Sequence, residues 1–243
     1  MMMRLSVILP VRNGQNYLSQ ALACLDSQLG NEDELIVIDD GSRDGTCGIL
    51  ESFKPNFMNL RVLKGAGAGP SAARNMGLAV AKGRYVGFLD HDDLWTDGRL
   101  ARHISFLEQN PQVDAVVGKT AYEYVDTMAA RQMLFKNGTS ALHHVHLGAT
   151  TFRSSVFSKV GSFNADMNFS EDHEFFLRLR EQGMTMYFDP EASLRYRVHG
   201  DNMSLDKSLQ ELGVFKVLAD SIRRRRNQGK LCKLAPFGET KDS

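Results

Sequence analysis

Three carboxylates crowded within four residues are the clearest candidates for chemistry in this sequence. Asp90, Asp92 and Asp93 lie at the end of an apolar stretch. This stretch, Arg84–Leu89, predicts a buried strand that delivers its acids to the edge of a sheet. Like charges this close repel one another unless solvent screens them or a divalent cation compensates them. The alternative is a solvated turn that caps a helix beginning near Thr96, because Asp favours N-terminal caps.

Other polar residues follow predicted strands in the same way. Asn13 comes after the apolar run Leu5–Pro10, and two acids come directly after the apolar run Leu35–Ile38. In open α/β sheets, ligands bind in the crevice beyond the carboxyl ends of the strands. We therefore expect one crevice to be lined by Asn13, Asp39, Asp40, Asp90 and Asp92.

Apolar runs alternate with helical patterns in the first part of the chain. Strands without polar alternation, separated by helices of about a dozen residues, are typical of a sheet covered on both faces. The predicted fold class is therefore α/β, with a mainly parallel central sheet and helices on both faces. The predicted elements are strands at Leu5–Pro10, Leu35–Ile38, Leu60–Leu63 and Arg84–Leu89, and a helix at Ser71–Lys82 after the glycine-rich run 65–69.

The remaining chain predicts shorter elements. A helix that begins with Glu171 and Asp172 has acids in its first turn, which the helix dipole favours. The other predicted elements are a helix at Thr96–Gln109, strands at Val113–Gly118, Ala121–Val125, Met184–Phe188 and Leu194–Val198, and a C-terminal helix at Ser208–Ile222.

A histidine-rich tract lies in a polar, irregular stretch at 131–146. His143, His144 and His146 can bind a metal, but no carboxylate or cysteine joins them at ligand spacing. The spacing favours a surface loop.

The composition restricts the classes of partner and compartment. Lys plus Arg and Asp plus Glu each total 29, so the formal net charge is zero and nothing indicates a nucleic-acid partner. No apolar run approaches the ~20 residues of a membrane span. Three cysteines without metal-ligand spacing favour a reducing compartment, for which the cytoplasm is the default.

Several short motifs in this order resemble the family 2 glycosyltransferases, which have the GT-A, Rossmann-like nucleotide-sugar transferase fold. The resemblance covers roughly residues 4 to 205. Its pieces are Ser6–Asn13, Val37–Thr46, Ala73–Gly77, Gly83–Trp95, Glu171-Asp172 and Tyr196–His199, followed by Asn202 and Ser204.

The resemblance implies roles for the residues that match the nucleotide-sugar side of the family pattern. Asp39 would bind the nucleotide base, and Arg74 would face the diphosphate. Other residues implied on this side are Pro10, Arg12 and Asn13 beside the base, Asp90 toward the ribose, and Gly148 and Ala149 at the sugar. His91 departs from the pattern, because the middle position of the Asp-x-Asp motif is commonly small or acidic.

The resemblance also implies a metal site and a base. Asp90, Asp92 and His199 would hold Mn²⁺ or Mg²⁺, hard cations that suit carboxylate ligands. Asp172 would be the catalytic base, with Glu171 before it. A single base and a departing diphosphate predict direct displacement with inversion.

The expected activity is transfer of a sugar from a nucleotide-diphospho-sugar, with UDP favoured by the resemblance, to a hydroxyl acceptor. The acceptor would be a glycan or a lipid-linked glycan in bacterial cell-surface synthesis. Two alternatives stay open. A noncatalytic nucleotide-sugar-binding module would not require Asp172, and a sugar nucleotidylyltransferase would usually carry a glycine-rich basic loop after its first strand.

The domain expectation is one catalytic domain over 1–206, with a nucleotide-sugar half at 1–118 and an acceptor-side half at 119–206. A helix and basic tail would occupy 207–243. Arg223, Arg224, Arg225 and Arg226 form a basic cluster beside an apolar stripe. The cluster is either a solvated helix end or a contact with the inner face of an anionic membrane.

Overall fold

An eight-stranded sheet runs through the computed structural model of the protein, which describes residues 3–125, 145–167, 169–203, 207–208 and 210–227. The strands are β1 (Met3–Val11), β2 (Asp33–Asp39), β3 (Asn59–Lys64), β4 (Gly83–Phe88), β5 (Leu94–Trp95), β6 (Ala115–Tyr124), β7 (Thr150–Arg153) and β8 (Met186–Val198). Their order across the sheet is β3-β2-β1-β4-β7-β6-β8-β5.

The helices in the described part of the chain are α1 (Leu18–Asp26), α2 (Thr46–Ser52), α3 (Pro70–Val80), α4 (Arg99–Gln109), α5 (Ser155–Val160), α6 (Glu171–Glu181) and α7 (Val214–Asn227). A 3-10 turn covers Leu147–Ala149. None of these helices is long and apolar enough to cross a membrane.

The first four strands form the parallel part of the sheet. β1 pairs in parallel with β2 on one side and with β4 on the other, and β2 pairs in parallel with β3. The register places Val11 opposite Asp39, so the loops that follow β1 and β2 begin side by side. The four strands predicted here and their parallel arrangement are confirmed.

Two apolar cores lie on opposite faces of the sheet. Leu5, Val7 and Leu9 of β1 belong to the core that also contains the buried side chains of α1 and α4. Ile8 belongs to the other core, with Ala73 of α3 and the buried phenylalanines of α6. Helices therefore cover both faces, as predicted, and this explains why the central strands lack polar alternation.

The second half of the sheet differs from the prediction in its strand count. β7 is antiparallel to both β4 and β6, whereas β6 is parallel to β8. The two strands predicted at Val113–Gly118 and Ala121–Val125 are the single strand β6, and the two predicted closing strands are the single strand β8. The separate strands were wrong because each predicted gap is a local shift of the β6–β8 register, between Val117 and Thr120 of β6, and not an end of pairing.

The C-terminal helix begins later than predicted. Gly213 adopts a left-handed backbone conformation with φ 71°, and helix α7 begins at the next residue. The helix also ends later than predicted, at Asn227, so the four arginines lie within it and not after it. The division into two functional halves at residue 118 remains a prediction, and it falls inside strand β6.

Gly77 is the point of closest approach between α3 and the sheet. A Cβ atom at this position would lie 2.6 Å from Cγ2 of Ile8 and 3.1 Å from Cδ1 of Ile38. Both isoleucines are fully buried and branched at Cβ, so neither side chain can move away easily. For Gly48, in helix α2, no atom of the described residues outside its own helix backbone lies within 4 Å of such a Cβ.

We expect Gly77→Ala to lower the free energy of unfolding by about 1–3 kcal/mol, because the methyl group overpacks the helix against the sheet. The matched variant Gly48→Ala should raise it by up to ~1 kcal/mol, because alanine has the better helix propensity in open space. Urea unfolding of both variants measures the difference. Equal effects of the two substitutions would contradict the close packing at Gly77.

Candidate functional site

Hydrogen bonds join the loops after β1 and β2. The backbone N–H of Asn13 donates to Oγ of Ser42 at 2.9 Å, and the backbone N–H of Arg43 donates to Oδ1 of Asn13 at 2.9 Å. Oδ1 of Asp39 accepts from the backbone N–H of Ser42 at 2.9 Å. The structure thus brings Asn13 and Asp39 together at one end of the sheet, as predicted.

The residues that flank Asn13 lie in different environments. Pro10 is buried within β1, whereas Arg12 is exposed at the mouth of the crevice. A Cβ atom at Gly14 would lie 2.7 Å from the ring of His91. The turn that carries His91 therefore lies directly against the loop after β1, which links the two predicted parts of the nucleotide-sugar site.

Asp40 has a function that sequence reasoning missed. Its buried carboxylate accepts hydrogen bonds from the backbone N–H groups of Gly67, Ala68 and Gly69 at 2.8, 3.2 and 2.8 Å. Gly67 requires glycine because its φ is +75°. Asp40 therefore shapes the loop that leads into α3. The glycine-rich run 65–69 after an acidic strand end was the available signal.

Arg74 connects the acids after β4 to the start of helix α6. Its two terminal nitrogens contact Oδ1 of Asp90 and Oε1 of Glu171, each at 2.6 Å. Only 5% of its side chain is exposed. Burial alone would lower the pKa of Arg74, but the two carboxylates outweigh burial and raise this pKa above its ordinary value. The predicted contact with a diphosphate stays a prediction.

Glu171 and Asp172 differ in their electrostatic surroundings although they are neighbours. Burial raises the pKa of Glu171, against the opposing charge of Arg74. Burial also acts to raise the pKa of Asp172, but the hydrogen bond and charge of His173 outweigh it and hold this pKa below its usual range. Oδ1 of Asp172 lies 2.9 Å from Nδ1 of His173. Asp172 is therefore ionised at neutral pH and able to accept a proton.

Asp92 and His199 form a second contact across the crevice. Nε2 of His199 lies 3.2 Å from Oδ2 of Asp92, and the His199 ring stacks on Tyr17 with 4.4 Å between centroids. Burial acts to raise the pKa of Asp92, but the hydrogen bond with His199 and the charges of His91 and His199 together outweigh burial and lower this pKa. Asn202 accepts from the backbone N–H of His199 at 2.6 Å and holds the end of β8 in place. Ser204 lies outside the described residues.

A third acid of the motif and an unexpected histidine also reach the crevice. One ligand atom each from Asp90, Asp93 and His146 lie within 4.8 Å of one another. Asp93 is buried. Its Oδ1 accepts from the backbone N–H of Arg197, whereas its Oδ2 has no hydrogen-bond partner among the described residues. Burial and the charges of Asp92 and Asp90 raise the pKa of Asp93 well above its usual value.

His146 lies in an irregular stretch before the 3-10 turn and is partly buried near Asp90 and Asp93. Its Nδ1 accepts a hydrogen bond from the backbone N–H of Gly148 at 3.0 Å, and burial lowers its pKa. The carboxylates that approach it come from a distant part of the chain, so local ligand spacing could not reveal them. His143 and His144 lie outside the described residues.

The donor set suits a hard divalent cation. Carboxylate oxygens are ligands that Mn²⁺ and Mg²⁺ prefer. A buried carboxylate oxygen with no hydrogen-bond partner among the described residues, such as Oδ2 of Asp93, is stabilised by nearby positive charge. Among the described residues, the geometry brings together the possible ligands Asp90, Asp93 and His146, whereas Asp92 contacts His199 alone. The set of Asp90, Asp92 and His199 stays a prediction.

Gly148 and Ala149 lie in a buried turn beside this cluster, and one side chain each from β5 and α4 holds this turn. Nε1 of Trp95 donates to the carbonyl oxygen of Gly148 at 3.1 Å, and Arg99 donates to the same oxygen. Both turn residues are buried. The predicted contact of Gly148 and Ala149 with the sugar stays a prediction.

The sequence of this chain is similar to those of known glycosyltransferases. The profile of the family described as "Glycosyl transferase family 2" matches residues 6–171. The minor teichoic acid biosynthesis protein GgaA of Bacillus subtilis is 32% identical over 191 residues, which cover 72% of this chain and 42% of that protein. An uncharacterized glycosyltransferase of Rickettsia typhi is 27% identical over 226 residues, 88% of this chain and 69% of that protein. The chain thus spans between 42% and 69% of these relatives' lengths.

Solved structures show the same fold. S. aureus TarS 1-349 in complex with UDP-GlcNAc superposes with a TM-score of 0.72 at 23% identity, over 90% of this chain and 66% of that chain. Mannosyltransferase PcManGT from Pyrobaculum calidifontis, in complex with GDP-Man and Mn²⁺, gives a TM-score of 0.65 at 19% identity, over 96% of this chain and 66% of that chain. These likenesses confirm the predicted GT-A architecture.

The matched region includes most of the first strand, the acidic turn after β4 and the first residue of helix α6. In the structure, Arg74 joins that turn to that helix through Asp90 and Glu171. Sequence profile, fold and the placement of these acids agree, and the chain belongs to glycosyl transferase family 2.

Proposed function

We propose that the protein is an inverting, metal-dependent glycosyltransferase that moves a sugar from a UDP-sugar to a hydroxyl acceptor of a bacterial cell-surface glycan. The observation that carries this proposal is the double ion pair of Arg74, which holds Asp90 and Glu171 at one crevice. The ion pairs keep the acidic turn, which would bind the metal cation, close to the start of helix α6, which carries the proposed base Asp172.

The nucleotide-sugar side of the proposal rests on the joined loops after β1 and β2. Asp39 uses Oδ1 to accept from the backbone N–H of Ser42, and the residue is partly exposed at the end of β2. An acidic oxygen at this position suits the N–H group of a uracil base. UDP is further supported by the structurally similar TarS, whose complex contains UDP-GlcNAc.

The proposed cation ligands are Asp90, Asp92 and His199. The bound cation would supply positive charge that stabilises the diphosphate as it leaves. The chain's own contribution is a rigid ligand set, because Tyr17 stacks on the ring of His199 and Asn202 fixes its backbone. Asp93 keeps the turn in place through its bond to the backbone of Arg197.

Asp172 is the proposed base of the transfer. The acceptor oxygen forms a bond to the anomeric carbon, the bond from that carbon to the diphosphate oxygen breaks, and the acceptor proton passes to Asp172. Displacement from the opposite face inverts the anomeric configuration. Glu171 does not share this role, because Arg74 occupies its Oε1.

The relatives support a cell-envelope acceptor. One is named for minor teichoic acid biosynthesis, and another, the poly(ribitol-phosphate) beta-glucosyltransferase of Bacillus spizizenii, is 36% identical over 121 residues, 48% of this chain and 19% of that protein. The proposal is tested by measuring release of nucleoside diphosphate from a panel of sugar nucleotides, with and without EDTA. Metal-reversible release of UDP with acceptor present supports it. A protein that binds UDP-sugars without turnover would instead be a noncatalytic module.

Asp92→Ala should abolish Mn²⁺-dependent binding of UDP and leave the fold intact, because it removes a ligand at the end of a strand. The melting temperature should stay within about 4 °C of the parent. Calorimetric titration of UDP with Mn²⁺ measures the loss. Asp97→Ala, which removes an exposed acid from the same segment, is the matched control.

The two histidines distinguish the ligand sets in the same titration. His199→Ala should weaken Mn²⁺-dependent binding about tenfold or more, whereas His146→Ala should change it little. The reverse result would assign the metal to Asp90, Asp93 and His146.

Asp172→Asn should retain UDP affinity and lose turnover by about 10²-fold or more, because the amide keeps the shape of the side chain but accepts no proton. Asp166→Asn, at an exposed aspartate before the same helix, is the control for the amide substitution. Steady-state kinetics and UDP titration separate chemistry from binding. More than about a tenth of parental kcat in Asp172→Asn would identify another base.

His173→Gln should make the enzyme more sensitive to acid. The pKa of His173 is raised by Asp172, so the histidine is protonated at low pH and keeps Asp172 ionised there. Without this cation, burial raises the pKa of Asp172, although the charge of His146 still opposes it. We expect kcat/KM at pH 5 to fall at least about threefold relative to the parent and to agree within about twofold at pH 8.

His173→Lys tests whether the charge is responsible, because lysine stays protonated over this whole range. It should restore the parental activity at pH 5. Identical pH profiles for the parent and His173→Gln would show that His173 has no influence on the base.

A further inference from the structure

Helix α7 turns an apolar face toward solvent. Phe215, Leu218 and Ile222 are 63, 49 and 42% exposed, and their spacing places them on one side of the helix. Val217 and Ser221, on the opposite side, are buried against the protein. The apolar stripe of this helix is therefore not packed on the sheet, and the side that anchors the helix is a different one.

The arginine cluster is divided between these two sides. Arg224 points inward, where it contacts Oε2 of Glu181 at 2.7 Å and Oε1 of Glu174 at 2.9 Å. The side chain of Arg223 is 74% exposed, and Arg226 is also exposed. The expectation that all four arginines act together on a membrane was therefore wrong for Arg224, whose charge holds α7 against α6.

We propose that the outward face of α7 docks on an anionic lipid bilayer. This face consists of Phe215, Leu218 and Ile222 with Lys216, Arg223 and Arg226 beside them. Apolar side chains that enter the interface, together with basic side chains at the level of the lipid phosphates, are the pattern of a helix that lies on a membrane. The helix contains one acid, Asp220, and Arg223 contacts it at 2.9 Å.

A lipid surface fits this face better than a second copy of the chain does. In a twofold dimer the same patch would face itself, so the basic side chains of both copies would be enclosed in one interface. That arrangement brings like charges together without a compensating anion. Arg223, Arg226, Ala219 and Ile222 also line one groove, where a phosphate group can accept from two guanidinium groups.

The position of α7 gives this docking a consequence for catalysis. Arg224 ties α7 to α6, whose first turn carries Asp172. A bilayer under α7 therefore lies beside the helix that carries the base. This step rests on the proposed function: the acceptor hydroxyl would belong to a glycan carried by a lipid in the same bilayer.

Vesicle cosedimentation of the full 243-residue chain tests the docking. The probes are vesicles of phosphatidylglycerol mixed with phosphatidylcholine and vesicles of phosphatidylcholine alone. We expect binding to the anionic vesicles only, with a decrease as salt shortens the Debye length from about 10 Å at 0.1 M to about 3 Å at 1 M. Each basic residue near such a surface contributes a factor of about five, so Arg223→Ser with Arg226→Ser should lower the partition coefficient about 25-fold.

Two control pairs match the tested substitutions in composition. Arg84→Ser with Arg195→Ser removes the same charge from exposed arginines elsewhere and should leave vesicle binding near the parental level. Phe215→Ser with Leu218→Ser should weaken binding at least about tenfold, whereas Met58→Ser with Val62→Ser, at exposed apolar positions of the first half, should not.

The outcomes separate this inference from the proposed function. UDP binding with Mn²⁺ and turnover on a soluble acceptor should be unchanged in Arg223→Ser with Arg226→Ser. If the parent protein itself shows neither UDP binding nor turnover, that result contradicts the proposed function and not the docking. Equal binding to neutral and anionic vesicles, or equal loss in the two arginine pairs, would overturn the docking. Absence of vesicle binding with concentration-dependent dimerisation, seen by sedimentation velocity and abolished by Phe215→Ser with Leu218→Ser, would assign the face to a second copy instead.

Discussion

The site depends on one buried guanidinium group that forms ion pairs with two acids from distant parts of the chain. Arg74, on α3, contacts Asp90 after β4 and Glu171 at the start of α6. Taking a guanidinium out of water costs several kcal/mol, and only well-placed carboxylates offset that cost. The crevice therefore forms as one unit, because the acidic turn and the base helix each need Arg74 and Arg74 needs both.

These contacts also place the adjacent carboxylates of Glu171 and Asp172 in different electrostatic environments. Arg74 occupies Glu171, while His173 leaves Asp172 ionised and oriented. The same logic separates the acids after β4: Asp93 is buried against the backbone of Arg197, and Asp92 faces His199. The residue type alone does not determine how each acid behaves. The protonation and orientation of each carboxylate depend on the guanidinium, imidazole or backbone N–H group that it contacts.

Much of the fold and part of the site follow from local sequence. Unbroken apolar runs predict the central strands, and acids after Leu35–Ile38 and Arg84–Leu89 predict the crevice. The proximity of His146 to Asp90 and Asp93 could not be predicted, because the pairing of β7 with β4 brings these distant parts of the chain together. Nor could the inward turn of Arg224, whose partners Glu174 and Glu181 lie on another helix.

The position of β1 between β2 and β4 has a consequence for the order in which the chain acquires structure. β2 emerges soon after β1 during translation, but Gly83–Phe88, which covers the other edge, is made about 80 residues later. At roughly 5–20 residues per second, that edge stays open for about 4–16 s. A nascent chain in this interval presents an apolar, unpaired strand edge, so its solubility depends on whatever covers β1 until the fourth strand arrives.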